Sequence, residues 1–125
     1  MKCLAVIPCY NDDSYLSNLI PDVKRYLDDV LIIDDGSKNK INDNYNCNII
    51  RNCKNRGKGY SIKKALRYAK TNGFSHIITL DSDGQHLPDC IPDFISINPM
   101  VDLVLGKREF NKSMPVHRRL SNKLT

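Results

Sequence analysis

The chain has 125 residues, which suits one domain with a single hydrophobic core and excludes two full domains. Apolar residues make up 41% of it and charged residues 26%, a balance that argues against wholesale disorder. Its apolar runs are far shorter than the roughly 20 residues of a membrane span, and the run after Met1 is too short for a signal-peptide core. We therefore expect a cytoplasmic protein.

The net charge of +5 is carried by one end of the chain. Residues 1–106 contain equal numbers of cations and Asp, so the whole excess lies in residues 107–125. A basic segment of this kind suits an anionic partner such as a phosphate, a nucleic acid or lipid headgroups. The alternative interpretation is a solvated tail, which composition alone favours.

The first part of the sequence predicts a strand, a helix and a second strand. Cys3–Pro8 is a continuous apolar run, as expected of a strand buried on both faces. The apolar residues between Leu16 and Leu27 follow helical spacing, and Pro21 is expected to kink this helix or divide it. Val30–Ile33 predicts the second strand.

The middle of the sequence predicts a loop, a short strand and a helix. Residues 38–48 are polar and without period, so we expect a surface loop there. A short strand at Cys47–Ile50 follows. The apolar positions of residues 62–69 then repeat the helical spacing, and Asn72-Gly73 ends this second helix.

The rest of the sequence continues the alternation of strands and helices. Ile77–Leu80 predicts a third clear strand, residues 88–97 a helix and Val101–Leu105 a last strand. Such alternation is typical of an α/β fold with a mostly parallel sheet, where ligands bind beyond the carboxyl ends of the strands. The predicted strand ends are Pro8–Asn11, Asp34–Ser37, Asp81–Gln85 and Gly106–Arg108.

Two carboxylates stand at the end of the third clear strand, in the run Asp81-Ser82-Asp83-Gly84. A turn through Gly84 can bring both near one cation, and Mg²⁺ or Mn²⁺ takes such oxygen ligands together with substrate phosphates. The alternative is a pair of Asx turns ahead of the next helix. The position at a strand end favours the metal, and His86 is expected to make a turn hydrogen bond nearby.

Further polar groups at the same rim suit a nucleotide. Asp34 or Asp35 can accept a hydrogen bond from a base or ribose, or serve in a tight turn. The glycines of Asn55–Gly59 let the backbone approach an anion, and Lys58 adds a charge near a helix N-terminus. This loop matches neither the phosphate-binding nor the dinucleotide-binding glycine pattern. Arg108 can grip a diphosphate, or remain a solvated charge.

Four motifs follow one another along the chain. They are Val6-Ile7-Pro8-x-Tyr10-Asn11, Ile33-Asp34-Asp35-Gly36-Ser37, Asn55-Arg56-Gly57-Lys58-Gly59 and Leu80-Asp81-Ser82-Asp83-Gly84-Gln85-His86. In this order they resemble the motifs of family 2 glycosyltransferases, and the last is similar to the branch that contains dolichyl-phosphate mannose synthase and other polyprenyl-phosphate glycosyltransferases. The resemblance implies the GT-A fold, a Rossmann-like, mostly parallel sheet flanked by helices.

The resemblance also implies a nucleoside-diphosphate sugar as donor, with Mg²⁺ or Mn²⁺ held by Asp81 and Asp83. The catalytic residues that it implies are Asp83, Gln85 and Arg108. The residues implied to contact substrate are Pro8, Tyr10, Asn11, Asp12, Asp34, Asp35, Lys58, Asp81, Arg118 and Arg119. The acceptor would be a sugar or a lipid phosphate such as polyprenyl phosphate, and the transfer would invert the anomeric carbon.

The sequence departs from the family pattern in two respects. Asp12 stands where the family often has Glu, and a shorter carboxylate can still serve. The chain stops at Thr125, whereas family catalytic domains run further. We expect residues 1–125 to be the N-terminal nucleotide-sugar-binding domain, with residues 107–125 beginning the acceptor half. A fragment, a natural minimal form and a half completed by homo-oligomerisation are the alternatives.

The leading hypothesis is an inverting glycosyltransferase of the cytoplasm or the cytoplasmic membrane face, with peripheral membrane contact as one option. A non-catalytic nucleotide-sugar-binding fragment is the first alternative. A nucleic-acid-binding module is disfavoured, and no nucleic-acid partner is expected, because residues 107–125 hold one aromatic residue, Phe110. A sugar-phosphate nucleotidyltransferase would need a Gly-rich loop after the first strand, which Pro8–Asn11 does not supply.

Overall fold

The structure is a computed structural model and describes residues 1–42 and 44–106. Its strands are β1 (Cys3–Cys9), β2 (Val30–Asp34), β3 (Asn48–Arg51) and β4 (His76–Thr79). Its helices are α1 (Leu16–Lys24), α2 (Lys58–Thr71) and α3 (Ile91–Ile95), with a 3₁₀ turn at Pro88–Cys90. The four strands form one parallel sheet in the order β3-β2-β1-β4, which confirms the predicted α/β fold.

The sheet is covered on both faces, because the side chains of its central strands alternate between two clusters. Along β1, Ala5 and Ile7 join the cluster that contains α1, whereas Leu4 and Val6 join the cluster that contains α2. The side chains of β2 alternate in the same way. A strand in this position has to be apolar at every residue, which explains the continuous runs in the sequence.

The first helix is a single helix, so of the two alternatives predicted for Pro21, a kink or a division, the structure excludes the division. α1 runs from Leu16 to Lys24 with Pro21 inside it. Proline lacks the N–H that would bond to the carbonyl of Ser17, but both residues are exposed, so water can reach that carbonyl. The helix ends before Leu27, which packs half-buried against the same cluster from outside it.

The second helix packs its small residues against the sheet. Ser61, Ala65 and Ala69 of α2 are buried at a spacing of four residues. Side chains this short let the helix approach the strands closely. Leu66, predicted to belong to the buried stripe, is instead 49% exposed, because it lies about 100° of helical turn beyond Ala65.

Two segments of the second half differ from the predictions. Val101–Leu105 is not a strand: its residues are exposed and irregular, since the described chain brings no strand edge against them. The helix predicted over residues 88–97 is shorter, a 3₁₀ turn followed by α3. None of the helices in residues 1–42 and 44–106 is long and apolar enough to cross a bilayer.

The loop between β2 and β3 also differs from its prediction. Residues 38–48 are not wholly a surface loop, because Ile41 is buried and joins the cluster around α1. Tyr45 and Cys47 pack half-buried against the same cluster. The loop therefore covers part of one face of the sheet, and these few apolar residues among polar ones hold it there.

An ion pair joins the carboxyl ends of β2 and β3. Arg51 Nη1 lies 2.6 Å from Asp34 Oδ2, and the backbone N–H of Ser37 donates to Asp34 Oδ1 at 2.9 Å. Burial by itself raises the pKa of Asp34, but the hydrogen bonds from Ser37 and Arg51 outweigh it and hold that pKa below its ordinary value. The ionised carboxylate therefore stabilises the fold.

Gly36, in the turn after β2, lets the loop after β3 approach the backbone closely. Its φ is +73°, and a Cβ at this position would lie 2.4 Å from the carbonyl carbon of Lys54. Both the left-handed backbone and the lack of space require glycine here. The contact holds together two loops that border the same edge of the sheet.

The substitution Gly36→Ala should lower the free energy of unfolding by about 2 kcal/mol, because a strained φ and a backbone clash act together. Gly59→Ala is the matched control. Gly59 lies inside α2 with nothing within 4 Å of an added Cβ, so its replacement should stabilise the chain by about 1 kcal/mol. Urea unfolding of the three proteins measures both effects. Equal midpoints for Gly36→Ala and wild type would contradict the close approach.

The substitution Asp34→Asn should cost about 2 kcal/mol of stability near neutral pH, because it removes charge-assisted hydrogen bonds. The pKa of Asp34 is lower in the folded state, so its stabilisation is present above the unfolded value, near 3.8, and disappears as pH falls through the folded pKa. Wild type and variant should thus converge in acid. Urea unfolding across this pH range measures the difference in unfolding free energy between the two proteins, with the exposed Asp28→Asn as control. A difference that does not change with pH would contradict the prediction.

Candidate functional site

A cleft of about 230 Å³ lies at the carboxyl ends of β1 and β4. α1 connects β1 to β2 on one face of the sheet, and α2 connects β3 to β4 across the other face. β2 and β3 are therefore added on one side of β1, and β4 on the other, so the strand order reverses between β1 and β4. Parallel sheets bind ligands at such a point. The residues that line the cleft are Pro8, Cys9, Tyr10, Asp12, Asp35, Lys58, Ser61, Asp81, Ser82 and Asp83.

The buried carboxylate of Asp35 organises one wall of the cleft. Its Oδ1 accepts hydrogen bonds from Asn52 Nδ2 and from the backbone N–H of Arg56, each at 2.8 Å. Its Oδ2 accepts from the backbone N–H of Gly57, also at 2.8 Å. These contacts hold the loop before α2 and so determine where Lys58, the first residue of that helix, lies.

Asn52 extends this network into the interior. It is 2% exposed, and its Nδ2 also donates to Ser61 Oγ at 3.2 Å, while its Oδ1 accepts from Lys64 Nζ at 2.9 Å. Sequence reasoning missed both Asn52 and Ser61. The available signal was position, because Asn52 directly follows β3 just as Asp35 follows β2.

A cation and a carboxylate meet across the cleft. Lys58 Nζ donates to Asp81 Oδ1, and His86 Nε2 lies 3.5 Å from Asp81 Oδ2. The backbone N–H of Asp81 donates to His86 Nδ1 at 2.9 Å, which is the turn hydrogen bond expected for His86. Because Nδ1 accepts, the neutral imidazole carries its proton on Nε2, the nitrogen that faces the Asp81 carboxylate.

Asp83 lies in the same turn and faces the same cleft. Its Oδ1 accepts from the backbone N–H of Gln85 at 3.0 Å, so the Asx turn considered as an alternative is present at this residue. Gly84 follows with a φ of +76°, and a Cβ there would lie 2.4 Å from the ring of Tyr15. Tyr15 therefore packs against the turn that carries Asp81 and Asp83.

The donor atoms of this turn suit a divalent ion that arrives with a phosphate ligand. Within the described residues no group of three or more His, Cys, Asp or Glu side chains could hold a metal ion by itself. Asp81 and Asp83 nevertheless both line the cleft. Mg²⁺ is commonly held by one or two carboxylates with substrate phosphates and water, and this pair fits that arrangement.

The loop after β1 contributes a second wall. Pro8, Tyr10 and Asp12 line the cleft, and Ser82 Oγ lies 3.4 Å from Asp12 Oδ2. Asn11 is not a lining residue. It has a φ of 51°, its backbone N–H donates to Ser37 Oγ at 2.9 Å, and its Oδ1 accepts from the backbone N–H of Lys38 at 2.8 Å.

The structure separates some residues that the sequence analysis grouped together. Asp34 does not line the cleft between β1 and β4. It lines a second cleft of about 360 Å³ together with Arg51, whereas Asp35 lines the first. Gln85 is exposed in the turn after Asp83. Three residues predicted to contact the donor or acceptor, and the basic segment 107–125 that contains them, lie outside the described residues: Arg108, Arg118 and Arg119.

Comparison with known proteins adds three relatives. An uncharacterized protein of Methanocaldococcus jannaschii is 34% identical over 131 residues, covering 95% of this chain and 57% of that protein. The UDP-N-acetylglucosamine–dolichyl-phosphate N-acetylglucosaminyltransferase of Methanococcus voltae is 31% identical, covering 94% and 57%. The undecaprenyl-phosphate mannosyltransferase of Micrococcus luteus is 24% identical, covering 99% and 55%.

The chain thus spans a little more than half the length of these curated relatives. The family model for glycosyl transferase family 2 matches residues 4–124. The four motifs and all of the parallel sheet except Cys3 lie within this range, and the cleft lies at the carboxyl ends of β1 and β4. Because the model matches almost the whole chain, the protein belongs to glycosyl transferase family 2.

Proposed function

We propose that the chain binds a nucleoside-diphosphate sugar in the cleft between the ends of β1 and β4, as the donor half of an inverting glycosyltransferase. The observation that carries the proposal is that Lys58 donates to Asp81 at the switch point of the sheet, with Asp83 lining the same cleft. Carboxylates beside a cation at this place suit a ligand that combines phosphates, a divalent ion and sugar hydroxyls. Two of the relatives are named for transfer to dolichyl phosphate and undecaprenyl phosphate, which supports a polyprenyl-phosphate acceptor.

The cleft residues divide into roles according to what their atoms can offer. Pro8, Tyr10 and Asp12, on the loop after β1, would surround the nucleoside. Asp35 accepts three hydrogen bonds within the chain, so its main role would be to hold the loop before α2. Its carboxylate could accept one further hydrogen bond, from the base or the ribose. Lys58 would then face the diphosphate.

The divalent ion, Mg²⁺ or Mn²⁺, would be held by Asp81 and Asp83. When bound, it would supply positive charge to the diphosphate. Gln85, in the turn that follows, would face the sugar. Arg108 would add a further cation toward the donor phosphates.

The chemistry asked of the protein is mainly electrostatic. As the bond from the anomeric carbon to the diphosphate breaks, negative charge grows on the leaving group, and the Lys58 ammonium would stabilise it. A lipid-phosphate acceptor is already an anion near neutral pH, so its attack requires no general base. Arg118 and Arg119 would help to hold that anion.

The substitution Asp83→Asn should abolish the stabilisation by donor and metal while preserving the turn, because an Asn carbonyl can still accept from the backbone N–H of Gln85. Wild type should gain about 2.7 kcal/mol at a hundredfold excess of ligand over Kd, and its Tm should rise by several degrees. The measurement is Tm with UDP- and GDP-sugars, with Mg²⁺ or Mn²⁺ and with EDTA.

Asp28→Asn, which removes an exposed carboxylate elsewhere, is the matched control and should respond like wild type. A wild-type Tm that no nucleotide sugar changes would overturn the donor-site proposal. Sugar transfer to a polyprenyl phosphate is assayed separately. Binding without transfer would retain the donor site and refute transferase activity of this chain alone.

The substitution Lys58→Gln should weaken the binding of a nucleoside diphosphate by about tenfold and leave the binding of the free nucleoside almost unchanged. Only the diphosphate gains a charge-assisted hydrogen bond from the ammonium group. Isothermal titration calorimetry with UDP against uridine, and GDP against guanosine, measures the two losses. An equal loss for nucleoside and diphosphate would show that Lys58 supports the cleft wall instead of the phosphates.

A further inference from the structure

The charges of residues 1–106 are strongly segregated along the sequence. Residues 51–75 contain eight Lys and Arg and no Asp or Glu, whereas the rest of residues 1–106 contain five Lys and Arg and thirteen Asp. The equal totals of positive and negative residues therefore conceal a basic region, and α2 forms most of it. This region is distinct from the basic segment 107–125.

The basic residues of α2 share its outer face. Lys63, Arg67 and Lys70 are exposed and follow one another at spacings of four and three residues, which places them on one side of the helix. The opposite side, with Ala65 and Ala69, is buried against the sheet. No ion pair joins these three cations to any other described residue.

Apolar side chains flank the cations on the same face. Tyr60 is 43% exposed and Leu66 is 49% exposed. The guanidinium of Arg56 lies 5.6 Å from the centre of the Tyr60 ring, so a further cation borders the face. A tyrosine and a leucine beside Lys and Arg are typical of a helix at the surface of a bilayer, where the acyl chains contact the apolar side chains and the headgroups contact the charged ones.

We propose that the outer face of α2, formed by Tyr60, Lys63, Leu66, Arg67 and Lys70, docks on the surface of an anionic lipid bilayer. The positive charge of this face favours an anionic partner. The exposed Leu66 favours a bilayer over a nucleic acid, because its side chain can enter the bilayer but makes no favourable contact with phosphates. α2 also begins at Lys58, so a bilayer lying along it brings headgroups beside the cleft. That last consequence rests on the proposed function, whereas the docking itself needs neither donor nor acceptor.

The test is co-sedimentation of the full chain with vesicles of phosphatidylcholine alone or mixed with phosphatidylglycerol. Wild type should bind the mixed vesicles and not the neutral ones, and added salt should release it. The double variant Lys63→Gln/Arg67→Gln should bind about twenty-five-fold more weakly, since each cation near an anionic surface contributes about fivefold.

Lys24→Gln/Arg25→Gln is the matched control. It removes the same charge at the end of α1, on the opposite face of the sheet, and should bind like wild type. Equal Tm values for the variants establish that each is folded. The proposal would be overturned if both double variants lost vesicle binding equally or if neither variant lost it. In either case the α2 face would not be the surface that contacts the bilayer.

A third variant, Leu66→Asn, separates a bilayer from a soluble polyanion. It should weaken binding to mixed vesicles severalfold and leave binding to heparin unchanged, because only the bilayer accepts an apolar side chain. A chain that binds RNA or heparin through Lys63 and Arg67 but binds neither kind of vesicle would refute bilayer docking and identify a nucleic-acid contact. Because these assays omit nucleotide and acceptor, their outcome is independent of the donor-site proposal.

Discussion

The buried carboxylate of Asp35 is the constraint on which the cleft depends. A carboxylate with 4% of its residue exposed is costly unless hydrogen bonds replace the water that it loses. Asn52 and the backbone N–H groups of Arg56 and Gly57 supply them, so the loop before α2 has to lie against the end of β2. The start of α2, and with it Lys58, is placed by that requirement.

The order of the strands determines which loops can meet. β1 and β4 are neighbours in the sheet, yet they are far apart in sequence. The helix that follows β1 and the helix that precedes β4 cover opposite faces of the sheet, and the loop after β1 and the start of α2 border the crevice at the ends of the two strands. Asp12, after β1, and Asp81 and Asp83, after β4, face each other there because of topology and not because of any local pattern.

The elements that the sequence predicted best are those whose signal is local. β1, and β2 as far as Ile33, are apolar because both faces of each strand are covered, and that property is visible in the sequence. Val101–Leu105 is apolar except for Asp102 and does not form the predicted strand, because a strand also needs a neighbour with which to exchange hydrogen bonds. Apolar spacing predicts a buried Leu66 because it does not reveal that Ser61, a polar residue, occupies the buried stripe.

The sequence predicts that the candidate site lies at the carboxyl ends of the strands, but it does not predict the hydrogen bonds between the residues there. Asp81, Asp83 and Lys58 were found from strand ends and from the resemblance to a family. Asp34 and Asp35 are adjacent in sequence, yet Asp34 pairs with Arg51 and Asp35 holds the loop before α2. Such contacts join residues about twenty positions apart, and no spacing rule in a single sequence could have separated the two carboxylates.

The length of α2 separates its two ends electrostatically. A helix rises about 1.5 Å per residue, so Arg67 and Lys70 lie about 14 and 18 Å along the axis from Lys58. The Debye length is about 8 Å at physiological salt, so charges so far from the cleft add little to the binding of phosphates there. The proposed nucleotide site would therefore not account for Arg67 and Lys70, whereas the proposed bilayer along the helix would. Under the two proposals Lys58 would act inside the cleft and Arg67 and Lys70 outside it, so the two kinds of binding would be separable along one helix.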